Sequence, residues 1–288
     1  MKKKIDAGQL ACMIMLELYA LICLLPFILI IIVSFSSEKS VIINGYSFFP
    51  KEWSLGAYRV LFSKNSSLFQ GYKITTLVTI VGTFLASLIT YLAGYALANR
   101  KLKYSNQFAL YFFIPMIFSA GIVPWYMISK AIGAYNNVLA LIIPSLVFNP
   151  FNLFLVRNFV RGMPYELEES ARIDGAGDVR IAFEIYLPLA KPVIATIVLF
   201  YALGYWNNYY NALMLVENTK LFPLQMLLLK IQSEITALSR VASGVAKNPP
   251  KETFKMATSV MVMGPIVALY PFLQKYFVKG MIVGAVKG

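Results

Sequence analysis

The chain has 288 residues, of which 59% are hydrophobic and only 14% are charged, whereas soluble domains average about 45–50% apolar and about 25% charged residues. This composition excludes an ordinary soluble domain and favours an all-α integral membrane protein. The chain has no histidine, which excludes His-based acid–base and nucleophilic catalysis, and its net charge of +13 is spread between apolar blocks, as in the flanks of membrane helices rather than in a nucleic-acid-binding patch.

Six stretches of eighteen or more residues contain no Asp, Glu, Lys or Arg. About 20 apolar residues in a helix cross the hydrocarbon core once, and none of the six stretches is long enough to cross it twice. The sequence therefore predicts six transmembrane helices. After trimming for interface residues, the predicted spans are 12–34, 74–97, 106–128, 138–157, 193–215 and 257–277.

The first predicted span follows a basic start, as the apolar core of a secretory signal does. Its apolar stretch, residues 10–33, is longer than that core, and no small-residue cleavage site follows it. We therefore expect it to be retained as a membrane helix.

Short basic clusters predict the orientation of the spans, because Lys and Arg accumulate in cytoplasmic loops. These clusters lie at the two termini and in the loops 98–105 and 158–192. We expect these four segments to face the cytoplasm. The longer segments 35–73 and 217–256 then lie outside, the first as a folded cap and the second with an amphipathic helix that begins after Pro223.

The connection between the fourth and fifth spans is roughly 35 residues long, which is unusual for a loop. Pro164 suits the first helical position, and three glutamates follow it in the first turn. Gly175 and Gly177 then end this helix, and a second, more apolar helix covers about 178–186. The pattern predicts a helix–turn–helix at the membrane surface.

This loop contains the string Glu169-Ser170-Ala171, followed by Gly175 after three residues, Ile185 after nine more and Leu187-Pro188 after one. The spacing resembles the EAA motif of importer-type ABC transporter permeases, with Ser170 where that motif usually has Ala. The segment 172–177 resembles the carbohydrate-uptake branch, which contains the maltose-type permeases. The ending, 272–288, is similar to the sub-branch that serves complex oligosaccharides.

The resemblance implies a permease subunit of an ATP-driven, solute-binding-protein-dependent sugar or oligosaccharide importer in a bacterial inner membrane. The chain would be one transmembrane domain over 1–288, with an EAA loop over 163–190 and a C-terminal tail over 279–288. Its partners would be a second homologous permease, two cytoplasmic ATPase subunits and an extracytoplasmic solute-binding protein. The residues implied in coupling to the ATPase are Glu169, Ser170, Ala171, Asp174, Gly175, Ile185, Leu187 and Pro188.

The sequence has no G-x-x-x-x-G-K-[ST] phosphate loop. We therefore expect no catalytic residue, cofactor or metal on this chain, with ATP and Mg²⁺ held by the partner ATPase. The alternative interpretation of the loop is an amphipathic hairpin that rests on lipid headgroups, which would not require the spacing of the EAA motif.

Polar and aromatic residues interrupt two of the predicted spans. Such groups are costly against lipid and are expected to face a bundle interior or an aqueous cavity, where aromatic faces and amides suit a sugar. An interfacial aromatic belt with asparagines bonded between helices is the alternative. The candidates for lining a substrate path are Tyr205, Trp206, Asn207, Asn208, Tyr209, Asn211, Asn149 and Asn152.

Three other functions are alternatives to a sugar importer. An ABC importer for a non-sugar solute would share the EAA loop. An ion-coupled carrier or channel usually has ionisable residues at mid-membrane, whereas the second to sixth spans have charge-free centres. An intramembrane enzyme would need the histidines or paired acids that the spans do not contain.

Overall fold

The computed structural model of the chain describes residues 7–62, 67–144, 146–241, 252–265 and 267. Over these residues the regular structure is helical, apart from one antiparallel bridge between Ser36 and Trp53, which confirms the all-α prediction. The chain divides into two compact units, 1–68 with 228–265 and 69–227 with 266–288. The predicted tail, 279–288, lies outside the described residues.

The first unit begins with α1 (Ala7–Ser34) and continues with α2 (Glu38–Asn44) and α3 (Gly56–Leu61). The apolar side chains of α1 are largely exposed, so this helix needs lipid or another protein around it. Beyond α1 the chain folds into a small cap. The Glu38 carboxylate accepts hydrogen bonds from the backbone N–H groups of Glu252 and Thr253, both at 2.9 Å, and so caps the helical segment 252–265.

The second unit holds the longest helix and most of the shorter ones. Its helices are α4 (Leu68–Ala98), α5 (Ser105–Ile117), α6 (Ile122–Ala131), α7 (Leu139–Ile142), α8 (Pro150–Arg161), α9 (Glu166–Ile173), α10 (Asp178–Arg180), α11 (Leu187–Leu189), α12 (Lys191–Trp206), α13 (Tyr210–Leu215) and α14 (Leu224–Val241), which runs on into the first unit. A π-helical turn (Ile181–Tyr186) joins α10 to α11, and a 3₁₀ turn (Thr219–Leu221) precedes α14. As predicted, α14 begins directly after Pro223.

Two helices of the described chain are long and apolar enough to cross a membrane, Gly8–Ser34 and Leu68–Ala98. Two further pairs of helices pass the same test only if each pair is one bent span. The bend is 118° between α5 and α6, and 84° between 178–189 and α12. The described part therefore offers up to four spans, and the count of six stays a prediction. The predicted sixth span, 257–277, lies partly outside the described residues.

The predicted spans 106–128, 138–157 and 193–215 are each interrupted rather than continuous. The first is broken between Ile117 and Ile122, where Gly121 has φ +84°, and the third between Trp206 and Tyr210. In the second, α7 ends at Ile142 and α8 begins only at Pro150. In this second span the cause is proline. Pro144 and Pro150 have no backbone N–H to donate to a preceding turn, and Asn149, which precedes Pro150, has an extended backbone.

Close helix approach at two glycines holds α4 in the second unit. A Cβ on Gly82 would lie 2.5 Å from the ring of Tyr205 in α12, and one on Gly94 would lie 2.7 Å from Val156 in α8. Real Cβ contacts are not this short, so α4 packs against both neighbours only because these positions have no side chain.

Candidate functional site

The first limb of the EAA loop, α9, has one inward and one outward face. Three glutamates in its first turn and Arg172 in its last turn complement the helix dipole. Glu168 and Ala171 are buried, with 6% and 7% of their surfaces exposed, whereas Glu169 and Ser170 are exposed. The small Ala171 therefore lets α9 pack closely on the second unit, and Glu169 is free to meet a partner.

The turn between the limbs is a Schellman motif. Gly175 has φ +80°, its N–H donates to the Arg172 carbonyl at 3.1 Å, and the Ala176 N–H donates to the Ala171 carbonyl at 2.9 Å. This left-handed position favours glycine because a Cβ would be strained there. The predicted turn at Gly175 is therefore present, and Asp174 beside it is exposed.

An ion network closes the turn, and sequence reasoning missed it. The Arg172 Nε donates to Glu168 Oε1 at 3.0 Å, and Nη2 donates to Asp178 Oδ1 at 2.5 Å. The bonds to Glu168 and then to Asp178 raise the pKa of Arg172, so the guanidinium stays charged. Arg172 thus ties the first limb to the start of the second, and the i,i+4 spacing of Glu168 and Arg172 was the signal that could have found it.

The second limb is longer than predicted. Residues 178–189 are helical without interruption, and the chain bends only at Ala190 before α12. The π-helical turn Ile181–Tyr186 precedes Pro188, whose missing N–H and bulky ring disturb the normal ladder at Glu184. The proline therefore widens the helix instead of ending it.

Tyrosines of α4 hold the second limb, and these too were missed. Tyr91, which is 2% exposed, donates its hydroxyl to the Ala182 carbonyl at 2.5 Å. The Tyr95 ring meets Tyr186 edge-on with centroids 5.4 Å apart, and the Tyr91 ring meets Phe183 at 6.2 Å. The loop is therefore fixed to a membrane-length helix.

The tip of the loop carries two exposed apolar side chains between charged ones. Ile173 is 82% exposed and Val179 is 74% exposed, and they flank the Gly175 turn. Of the remaining motif residues, Ile185 and Leu187 are partly buried against the core, and Pro188 is exposed. The loop thus has an anchored base and an apolar tip without cover in the described chain.

The structure divides the eight substrate-path candidates into a buried and an accessible set. Tyr205 and Asn211 are 2% and 1% exposed. The Tyr205 hydroxyl donates to the Ile142 carbonyl at 3.0 Å, and the Asn211 amide donates to the Pro144 carbonyl at 2.9 Å. They satisfy carbonyls that the break between α7 and α8 leaves without helical donors. These contacts agree with the alternative of bonding between helices.

Three more candidates in the same region are either hydrogen-bonded within the protein or buried. The Asn149 side chain caps α8 by accepting from the N–H groups of Phe151 and Asn152, and its own N–H donates to the Tyr201 hydroxyl at 3.0 Å. Asn152 and Trp206 are 3% and 6% exposed.

The accessible candidates lie at the break between α12 and α13. Asn207 and Tyr209 are exposed and Asn208 is half-buried. The Asn207 Oδ1 accepts from Gln225 at 3.0 Å, and the Asn208 Oδ1 accepts from the Asn211 N–H at 3.0 Å. Among the described residues, no group of three or more His, Cys, Asp or Glu side chains could hold a metal ion.

Comparisons with known proteins cover nearly the whole chain. Residues 90–283, which include the EAA loop, match the family described as binding-protein-dependent transport system inner membrane component. The chain is 40% identical to Protein LplC of Bacillus subtilis (strain 168) over 93% of this chain and 90% of that protein. It is 38% identical to the polygalacturonan/rhamnogalacturonan transport system permease protein YtcP of the same organism, over 95% of this chain and 96% of that protein.

A solved structure agrees with these relatives. One chain of a bacterial ABC transporter involved in the import of the acidic polysaccharide alginate superposes with a TM-score of 0.81 and is 30% identical, covering 93% of this chain and 95% of that chain. The similarity confirms the architecture expected from the sequence, that of an importer-type transmembrane domain.

Proposed function

The chain belongs to the family of binding-protein-dependent transport system inner membrane components, and on this premise we propose that it forms half of the membrane pathway of an importer for acidic oligosaccharides. That it is a sugar or oligosaccharide importer permease follows from its relatives. The observation that carries the acidic class is that similarity extends over at least 93% of the chain to YtcP and to a subunit of the alginate importer. The names of both refer to polymers of acidic sugars.

The other half of the pathway would be a second homologous permease. Two cytoplasmic ATPases would hold ATP and Mg²⁺, and a solute-binding protein would deliver sugar to the segments 35–73 and 217–256. The termini and the EAA loop would face the cytoplasm, as the basic clusters suggest.

The EAA loop would dock on the ATPase through its tip. Glu169 offers an exposed carboxylate to a partner cation, and Ile173 and Val179 offer the most exposed apolar side chains of the described loop. Burial of the two side chains would stabilise docking by a few kcal/mol, at about 1.5–3 kcal/mol for each fully buried Val or Ile.

Movement of the docked tip would then reach the membrane helices. Arg172 joins the two limbs, Tyr91 joins the second limb to α4, and the bend at Ala190 joins it to α12. A rigid tip joined to the membrane-length helix α4 and to α12 could pass a shear or rotation of the ATPases on to both helices.

The accessible residues Asn207 and Tyr209 are the best remaining candidates for contact with sugar. The Asn207 amide N–H donates to the Leu203 carbonyl at 3.0 Å, but that carbonyl also accepts from the backbone N–H of Asn207, so the amide is not the sole donor there. The buried Tyr205 and Asn211 would instead shape the pathway without touching its cargo.

The test is purification of the chain from its native membrane with its partners, followed by reconstitution and uptake of galacturonate oligosaccharides. We expect a second permease and an ATPase to co-purify, and uptake to require both ATP and the binding protein. Uptake of a neutral oligosaccharide in preference to the galacturonate series would contradict the acidic class. Solute movement without ATP or a partner would contradict the importer itself.

A further inference from the structure

A small cleft, with an internal volume of about 20 Å³ behind its open mouth, lies within the second unit beside the base of the EAA loop. It is formed where α4 and α8 end and α9 begins. Its lining includes Asn99, Arg100, Arg161, Tyr165, Glu168 and Tyr186. None of these residues belongs to the EAA motif, and the proposed docking of the tip does not use them.

Two arginines give the cleft a positive charge that the described chain does not neutralise. Arg100 and Arg161 are exposed, and no carboxylate lies within ion-pair distance of either among the described residues. The one carboxylate in the wall, Glu168, is already paired with Arg172 at 2.9 Å. The charged side chains of the cleft that are left without an ion pair are therefore positive.

The arginine on the α4 side is held in place. The guanidinium of Arg100 lies over the ring of Tyr165, 5.6 Å from its centroid, and such stacking restricts the side chain while leaving its N–H edge open. Asn99, which also lines the cleft, accepts from the Lys101 N–H through Oδ1, and this bond does not use the N–H groups of its amide. Two guanidiniums and an amide suit the oxygens of a phosphate group, which arginine binds with two parallel hydrogen bonds.

We propose that this cleft binds the phosphate of an anionic phospholipid headgroup and thereby fixes the base of the EAA loop to the ends of α4 and α8. The proposal rests on the proposed function for its cytoplasmic side. The cleft lies at the end of the membrane-length helix α4, and on the cytoplasmic side this end would be at the depth of the acidic headgroups. Free inorganic phosphate shares the chemistry and is the other source to be tested.

The lipid would act on coupling because the cleft includes the start of α9. Tyr165 immediately precedes that helix, and Glu168 lies in its first turn. A headgroup held between Arg100 and Arg161 would bridge the two membrane helices beside the loop. It would steady the loop without contacting the ATPase.

The experiment uses the complete complex in nanodiscs of phosphatidylcholine alone or mixed with phosphatidylglycerol, with retained lipid measured by native mass spectrometry. The variant Arg100→Gln/Arg161→Gln should lower the apparent affinity for phosphatidylglycerol by about 25-fold, at roughly fivefold for each arginine whose hydrogen bond to the phosphate is lost. The control Lys101→Gln/Lys103→Gln removes the same amount of charge from exposed neighbouring residues that do not line the cleft, and should lower the affinity by less than about twofold because water screens these lysines. Equal losses in the two variants would overturn the proposal.

Two further readouts separate the possible failures. We expect phosphatidylglycerol to raise the ATP hydrolysis that the binding protein stimulates. Inorganic phosphate added to phosphatidylcholine nanodiscs should not raise this ATP hydrolysis, and an equal rise with phosphate would overturn the lipid assignment. Co-purification of the ATPase and its stimulation by the binding protein test the proposed function independently. Lipid retention is measured whether or not that stimulation is present, so the two failures are distinguishable.

Discussion

The turn of the EAA loop and the break between α7 and α8 solve the same problem with different chemistry. Each interrupts a helix and leaves backbone groups without helical partners. The loop closes its turn with backbone bonds around Gly175 and an ion network through Arg172. The break uses neutral side chains from other helices, the Tyr205 hydroxyl and the Asn211 amide.

The predicted spans place the break in the bilayer and the loop in water, and this placement would account for the difference. A charged pair in the hydrocarbon region costs several kcal/mol per ion to desolvate, whereas a neutral hydroxyl or amide needs only one good acceptor. At the loop, Arg172 is one-third exposed and Asp178 is exposed, so water partly screens the network and lowers its desolvation cost, although its Glu168 carboxylate is buried. The charged region is therefore suited to meeting partners, and the neutral one to holding helices together.

The largest expected effect comes from reversing the exposed charge of the loop. Glu169→Lys should lower uptake at least about 30-fold, since the loss of one member of a docked charge pair costs 2 kcal/mol or more. The thermal midpoint of the permease should not change, because Glu169 is exposed. The measurement is uptake and ATP hydrolysis in proteoliposomes.

Its matched control is Glu166→Lys, the same reversal on the same helix in an exposed position outside the motif. Uptake by this control should stay within about twofold of wild type. Wild-type uptake by Glu169→Lys would show that the EAA loop does not couple through this carboxylate.

The second effect breaks the neutral region. Asn211→Leu removes the donor to the Pro144 carbonyl, which stays buried, so the free energy of unfolding should fall by about 1–3 kcal/mol. Denaturant unfolding in detergent measures it. Asn207→Leu changes an exposed amide in the same segment and should cost less than about 0.5 kcal/mol. Equal costs would mean that the break is not held by Asn211.

More of the loop than of the break could be predicted from the sequence, for a physical reason. The glycine turn and the glutamates of α9 are local, so their spacing along the chain is enough to predict them. The break depends on donors from α12 and α13, which lie more than sixty residues away. Hydropathy counts an apolar run as one span whether or not prolines such as Pro144 and Pro150 interrupt it, and it therefore does not show which distant donors satisfy the break.

The candidate residues show the same limit. The motif positions Glu169 and Gly175 were placed by spacing alone, and the structure puts them on an exposed face and in a left-handed turn. The string 205–211 gave no means to tell buried tyrosine and asparagine from exposed ones, because the chain leaves the helix at Asn207 and the helical period is lost. Tyr91 and Tyr95 read as ordinary residues of an apolar span.

A third prediction tests whether charge is needed in the loop. Arg172→Gln keeps a donor but removes the cation between Glu168 and Asp178, which leaves the buried Glu168 carboxylate without its charged partner and should lower the thermal midpoint of the permease. The loss should shrink as salt is raised, because wild type loses the same interaction. A cost that does not depend on salt would assign the role of Arg172 to packing.

The smallest effect joins the two regions. Tyr91→Phe removes one hydroxyl between α4 and the second limb, but the Ala182 carbonyl keeps the N–H of Leu187 as a partner, and the ring stays against Phe183. The expected cost is therefore only about 0.5 kcal/mol. If this bond transmits motion, the ATP hydrolysed per sugar imported should still rise about twofold, because a coupling energy of about 0.5 kcal/mol corresponds to that factor.

The control Tyr104→Phe changes an exposed hydroxyl in the loop after α4 and should leave the ratio of ATP hydrolysed to sugar imported unchanged. A ratio that also stays at the wild-type value in Tyr91→Phe would mean that α12, through the bend at Ala190, carries the motion alone.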